Sequence, residues 1–319
     1  GMAIGGLKDN HYRQVVHGIP AEITQRVAAT GGGFGHLEVS SDDRWISSIF
    51  SMDPEVYRLV VLEMLEESGC DLLLHGKMYA ATVVEGRVVG IETAGNGGIW
   101  AFGAKVFVDA TGDGDVAHLS GVECRIGDER GRTQSATCVF RMGNVNIDAF
   151  EKHMNETINS DGRDSWRIKD ACARVDGRYW LPWRDADRPD LPNACGIYHH
   201  GNKGDVFINT THFEGLDLRD PFSLSRAEVA LRRQAAKVTK YLREEVPGFE
   251  EAYLAQVYPI GIRDSRRIVG EYTLTEQDLL MQRRFHDVIA FAAYPPDVHL
   301  GFGNVDIHAQ GNRTYEIPY

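Results

Sequence analysis

KVFVDATGDGDVAHLSG, from Lys105 to Gly121, reads as a strand running into a glycine-rich turn and then a short helix. Glycine lets a backbone bend sharply and come close to a ligand, so such turns after strands often hold phosphates. By letter, Gly112 to Ala117 fits G-x-G-x-x-A. A primary dinucleotide fingerprint also needs a full helix, a second parallel strand and an acid about 20 residues on. Here Gly121 cuts the helix short, and Gly127 and Gly131 follow without a clean strand between them. Three readings stay open at this point: a primary fingerprint, a tight turn with no ligand, and a second contact to a cofactor held mainly elsewhere.

The segments before the turn favour the third reading. MDPEVYRLVVLEMLEESGCD is the clearest helix, with Asp53 as cap, Pro54 in its first turn and Gly69 as its stop. Val56, Leu59, Val60 and Met64, with Leu62 and Leu65 beside them, are expected to form its apolar face. DLLLHG then reads as a short buried strand. KMYAATVVEGRVVGIETA reads as a hairpin turning at Glu85-Gly86, and IWAFGAKVFVDA as further strand after the turn at Asn96-Gly97-Gly98. Upstream, Ala21 to Ala29 fits a short helix between Pro20 and Gly31. Downstream, QSATCVFRMGN and GDVFINTTH are strands. SLSRAEVALRRQAAKVTKYLREEVPGF is the longest helix, with a capping box of Ser225 and Glu228 and an end at Pro247-Gly248.

Composition bounds the function. Among 319 residues, 43 % are hydrophobic and 25 % charged, as in ordinary globular proteins. Lys plus Arg number 34 against 46 for Asp plus Glu, a net charge of −12, which argues against nucleic-acid and membrane-surface partners. Cys70, Cys124, Cys138, Cys172 and Cys195 are odd in number and form no C-x-x-C, so a reducing, cytoplasmic setting is expected. No apolar run is long enough to span a bilayer. The His199-His200 pair lacks converging ligands, and no metal site is expected.

Taken together, MDPEVYRLVVLEML, VFVDATGDGDVA, FINTTH, LSRAEVALRRQ, GIRDSRRIVGEYTLT and TYEIPY resemble the FAD-dependent oxidoreductases that carry a VFVDATGDGDVA-like block, and they run in family order over nearly the whole chain. The resemblance implies a mixed α/β (α+β) fold. An incomplete FAD-binding layer of the glutathione-reductase type would occupy 1–121, with the crossover hairpin at 77–94. A mixed-sheet substrate domain would occupy most of 122–319. It also implies FAD as cofactor, contacted by Thr111, Gly112, Asp113 and Gly114, and by Gly5 and Gly6 in a loop near the flavin.

The family begins with a strand, G-x-G-x-x-G and helix, and ends with a further flavin segment. This chain looks like the middle of a member, so FAD binding is expected to be weak or absent. The implied activity is hydride transfer between flavin and a small, anionic organic substrate. Arginines grip carboxylates with a planar fork, which makes Arg263 and Arg267 candidates for holding the anion, with Arg266, Asn209 and Asp297 lining the substrate site. His299 is the candidate proton donor or acceptor, with Asp297 on the same strand face to orient it. Apolar surface left unpaired would encourage self-association, which makes a homodimer one expectation. The rivals are a non-catalytic binding module of the same fold and an NAD-dependent dehydrogenase using Gly112 to Ala117.

Overall fold

The computed structural model describes residues 3–9, 11–38, 48–160, 178–182, 191, 194–200, 204–294, 298–300, 303–305 and 314–319. In chain order the first elements are β1 (Ala3–Gly5), α1 (Ile19–Ala29), β2 (Leu37–Glu38), β3 (Ser48–Ser51), α2 (Pro54–Glu67), β4 (Lys77–Val84), β5 (Arg87–Gly95) and β6 (Gly98–Gly103). Next come α3 (Asp115–Leu119), β7 (Cys124–Ile126), β8 (Phe140–Gly143), α4 (Ile147–Ser160), β9 (Arg178–Pro182), β10 (Ala194–Tyr198), β11 (Val206–Asn209) and α5 (Pro221–Glu245). The last are β12 (Tyr253–Val257), β13 (Arg266–Ile268), α6 (Glu276–Leu280), β14 (Val288–Ala292), β15 (Val298–Leu300), β16 (Gly303–Val305) and β17 (Tyr315–Pro318). The fold is mixed α/β, as the sequence implies. It divides into two compact units: residues 1–63, 134–262 and 274–319 form the first, and 64–133 with 263–273 the second.

The first unit is built on an antiparallel sheet of order β12-β8-β11-β10-β9. Alternation sorts its residues onto two faces. Phe140 pairs with Ile208, and Ile208 with Ile197, so these point one way. They form the main core with Phe150 and Phe249 and with Ala235, Val238 and Leu242 of α5. Arg141 pairs with Phe207, and Phe207 with Tyr198, so these point the other way. There Tyr198 and Phe207 meet Ile49 of β3, with Val139 and Tyr258 beside them.

Helix α5 is longer than its expected start implies. Its N-cap is Asp220, whose carboxylate accepts from the Phe222 amide at 2.9 Å, and Pro221 presets the first turn. Ser225 lies inside the helix and its hydroxyl donates to the Pro221 carbonyl, so the expected Ser225–Glu228 capping box is not the start. Ala227, Leu231, Ala235, Val238 and Leu242 recur every three or four residues and are buried. Helix α2 starts as expected, with Asp53 accepting from the Glu55 amide at 2.8 Å. Its apolar face is narrower than its sequence suggests: Val60 is buried while Leu59 is exposed.

The second unit holds the meander β4-β5-β6 and the pair β13-β7. The hairpin turns at Glu85 and Gly86, both with positive φ (51° and 76°), as a two-residue turn matched to strand twist requires. Two expected strands are absent. Residues 70–76 have no strand pairing, and Leu73 and Leu74 are exposed. Residues 104–110 likewise run without a strand partner, with Val106 75 % and Val108 85 % exposed. A strand exists only where a neighbouring strand takes its N–H and C=O groups; among the described residues neither segment pairs with one, and the Lys105 carbonyl is taken by the Arg87 side chain at 2.9 Å. All strand pairs among the described residues are antiparallel.

Candidate functional site

In the second unit the glycine turn is fixed from within. The Asp109 carboxylate accepts from the Thr111 amide, the Thr111 hydroxyl at 2.6 Å and the Ala117 amide at 2.9 Å. Burial alone would push the Asp109 carboxyl up. The Thr111 hydroxyl and the Ala117, Thr111 and Val116 amides outweigh it and leave the carboxyl below its usual range. The Thr111 hydroxyl in turn accepts from the Asp115 amide at 2.7 Å. Gly114, in the left-handed region at φ 61°, precedes α3 and packs on Ile268.

The same turn is fixed from outside by the 263–273 segment. Arg266 donates through one guanidinium nitrogen to the Asp115 carboxylate at 2.8 Å and to the Asp113 carbonyl at 3.3 Å. The Ser265 hydroxyl reaches the Gly112 carbonyl at 3.5 Å. Arg267 donates to the Gly127 carbonyl and lies 3.7 Å from Asp264. Arg263 is exposed. Of the three arginines read as an anion clamp, Arg266 is thus committed to the turn itself.

What the turn leaves open is its outer face. A Cβ built on Gly112 would meet no atom within 4 Å. The amides of Gly112 and Asp113 find no acceptor among the described residues, whereas the Gly114 amide is used by the Thr111 carbonyl. Two N–H groups without acceptors, beside open space at Gly112, suit the oxygens of a phosphate ester. A family model described as FAD dependent oxidoreductase matches residues 1–319. The chain belongs to the FAD-dependent oxidoreductases. The turn's donor set fits the diphosphate of the cofactor that gives this family its name.

Other FAD-dependent oxidoreductase candidates lie in the first unit. Gly5 ends β1 opposite Ile49, and the Gly6 amide donates to the Ser48 carbonyl at 3.2 Å. A Cβ on Gly6 would lie 3.0 Å from the Tyr294 backbone, and its φ is 73°. His299 is held at its backbone, donating to the Gln134 side chain at 3.0 Å and accepting from the Ser135 amide. Its ring centroid is 6.5 Å from that of His212. Asn209 ends β11 opposite Gly196. Asp297 lies outside the described residues.

His212 is held more firmly than its place after a strand suggests. Its ring nitrogen bonds to the Thr210 carbonyl at 2.6 Å, and the Gln234 side chain takes both its amide and its carbonyl. Buried polar atoms on the Phe207 face of the five-stranded sheet were not foreseen. Both ring nitrogens of His200, Nε of Arg141 and the Tyr258 hydroxyl lack hydrogen-bond partners among the described residues. Burial holds the His200 imidazole below its usual pKa, against the opposing pull of Asp53 and Asp205. Side chains alternate between two faces along β8 and β11; which face is covered, and by what, is a tertiary matter.

Among the described residues no cluster of three or more His, Cys, Asp or Glu forms a metal site, and no helix is long and apolar enough to cross a membrane. Burial pushes the Cys138 thiol up to about 11, which keeps it protonated and unreactive.

No curated protein matches the sequence. Among solved structures, a mutant flavin-dependent brominase is 12 % identical, with 84 % of this chain and 61 % of that one covered and a TM-score of 0.45. A p-nitrophenol 4-monooxygenase from Pseudomonas putida is 12 % identical, with 69 % of this chain and 45 % of that one covered and a TM-score of 0.39. A glycerol-3-phosphate dehydrogenase from Bacillus halodurans, complexed with FAD, is 12 % identical, with 69 % and 36 % covered and a TM-score of 0.34. The chain therefore spans less than two thirds of the length of each.

Proposed function

We propose that the chain serves hydride transfer between FAD and a small, anionic organic molecule. The open outer face of Gly112, inside a chain matched by the family model from end to end, is the observation that carries this reading. Thr111, Gly112, Asp113 and Gly114 would approach the diphosphate, and Gly5 and Gly6 the flavin end. Bound FAD supplies the hydride acceptor. Arg263 and Arg267 bind the substrate's anionic group, Asn209 and Asp297 line its site, and His299 holds or delivers the proton. Arg266 serves the turn before it serves any substrate.

By role, residues 1–121 contribute to cofactor binding, with the hairpin at 77–94, and 122–319 mainly to the substrate. A cytoplasmic setting fits the four free cysteines among the described residues. The exposed Leu73, Leu74, Val106 and Val108 favour a homodimer.

A second reading has its own support. The described strands form no parallel βαβ unit, the usual source of tight dinucleotide binding. On that basis the 319-residue chain holds FAD weakly, or acts as a binding module without redox activity. Absorption spectroscopy of freshly purified protein, followed by FAD titration, separates the two. A flavin band, or saturable binding of added FAD, supports the enzyme. A colourless protein that ignores FAD supports the module.

A further inference from the structure

We infer that Arg266 is a positioning residue that makes the glycine turn fit to receive a diphosphate. The inference rests on the proposed role of that turn and goes one step further, to what keeps the turn usable. Three aspartates, Asp109, Asp113 and Asp115, stand within seven residues of one another. Each carries a negative charge that would repel a diphosphate brought to the Gly112 and Asp113 amides. A like charge beside a bound anion weakens its binding, the more so where the pair is partly shielded from water and salt.

The chain deals with two of the three in different ways. Asp109 is turned inward and saturated by the Thr111 amide and hydroxyl and the Ala117 amide. Asp115 is turned toward β13, where the Arg266 guanidinium meets it at 2.8 Å. That pair is only partly exposed, with 24 % of the Arg266 side chain and 34 % of the Asp115 side chain open to solvent. The same guanidinium nitrogen holds the Asp113 carbonyl at 3.3 Å. Arg266 therefore does two things at once. It cancels the Asp115 charge, and it draws one of the turn's carbonyls toward β13.

The carbonyl of one residue and the amide of the next lie in one rigid peptide plane and point in opposite directions within it. The Ser265 bond to the Gly112 carbonyl therefore sets the direction of the Asp113 amide, which belongs to the same peptide. Arg266 on the Asp113 carbonyl sets the Gly114 amide, which closes the turn onto the Thr111 carbonyl. The amides of Gly112 and Asp113 are the ones left without an acceptor among the described residues. Arg267 completes the attachment of β13 by bonding the Gly127 carbonyl, and the Val269 amide bonds Glu123 at 3.0 Å. Arg266 touches neither substrate nor flavin in this scheme; it acts through the turn.

The test measures binding of FAD, ADP and riboflavin to the full chain by calorimetry, in the wild type, Arg266→Ala, Arg266→Lys and the double variant Arg266→Ala/Asp115→Asn. The expected result is a loss of about tenfold in affinity for FAD and ADP in Arg266→Ala, with riboflavin unchanged. Arg266→Lys recovers part of the loss by restoring the charge. The double variant also recovers part of it, because the exposed carboxylate is gone. A purely structural tether predicts no such recovery, since the double variant lacks both partners. Equal losses for all three ligands, no loss for any, or a double variant as poor as Arg266→Ala each overturn the inference. A wild type that binds riboflavin but not ADP overturns the diphosphate reading on which it rests, and one that binds none of the three overturns the flavoenzyme reading itself.

Discussion

Gly6 and Gly112 are both glycines in loops, and the structure separates their reasons. At Gly6 a side chain has no room: the Tyr294 backbone is 3.0 Å from where a Cβ would sit, and φ is 73°. At Gly112 a side chain meets nothing within 4 Å. A left-handed backbone alone costs a non-glycine residue about 1–2 kcal/mol. Gly6→Ala is therefore expected to destabilise the chain by at least about 1 kcal/mol in chemical denaturation. Gly112→Ala should leave the unfolding midpoint unchanged while lowering FAD affinity, because its methyl group would occupy the open face. Equal midpoints for the two variants would remove the distinction. The letters alone make the two glycines look alike; only the position of Tyr294, 288 residues after Gly6, tells them apart.

At the scale of elements, local chemistry decides helices and turns, and distant partners decide strands. Asp53-Pro54 starts α2, and Glu85-Gly86 turns the hairpin, as their residue types demand. Asp220-Pro221 follows the same rule at the start of α5, although the later Ser225 and Glu228 imitate a cap. Asp220→Ala should cost about 1 kcal/mol. The Asp220–Arg226 ion pair adds little, since its side chains are 40 % and 62 % exposed. The thermal midpoint would show the loss, and a Ser225→Ala control should show almost none; the reverse order would put the cap at Ser225. The apolar runs 72–74 and 106–108 have strand-like residues, yet no partner among the described residues takes their backbone groups.

For the whole molecule, the buried imidazoles make stability depend on pH. Burial lowers the pKa of both His199 and His200; Glu151 opposes it at His199, and Asp53 and Asp205 oppose it at His200. The unfolded chain takes up protons near the ordinary value of about 6.5, while the folded chain resists them. Stability from these groups is thus complete above that value. It falls as pH drops below it, until the lowered folded values are reached. Denaturant unfolding between pH 7.5 and about 5 should show this loss, and His200→Gln should flatten it. A slope unchanged by that substitution would mean that His200 titrates normally. Asp109, with its lowered pKa, adds a separate loss at more acidic pH, as the pH falls through its folded value.

The order of motifs over the whole chain was enough to name the family and its cofactor, because each motif is a short run of residues whose types are chosen by local geometry and chemistry. The caps, the hairpin turn and the long amphipathic helix are legible for the same reason: their energetics close within a few residues. Which of Arg263, Arg266 and Arg267 serves the glycine turn was not legible. That choice is made when β13 meets the turn, and Arg266 and Asp115 stand 151 residues apart in the chain. The covered polar face around His200, and the failure of Val106 and Val108 to join a sheet, belong with it. Burial and strand pairing are properties of neighbours in space, and only the tertiary structure supplies those.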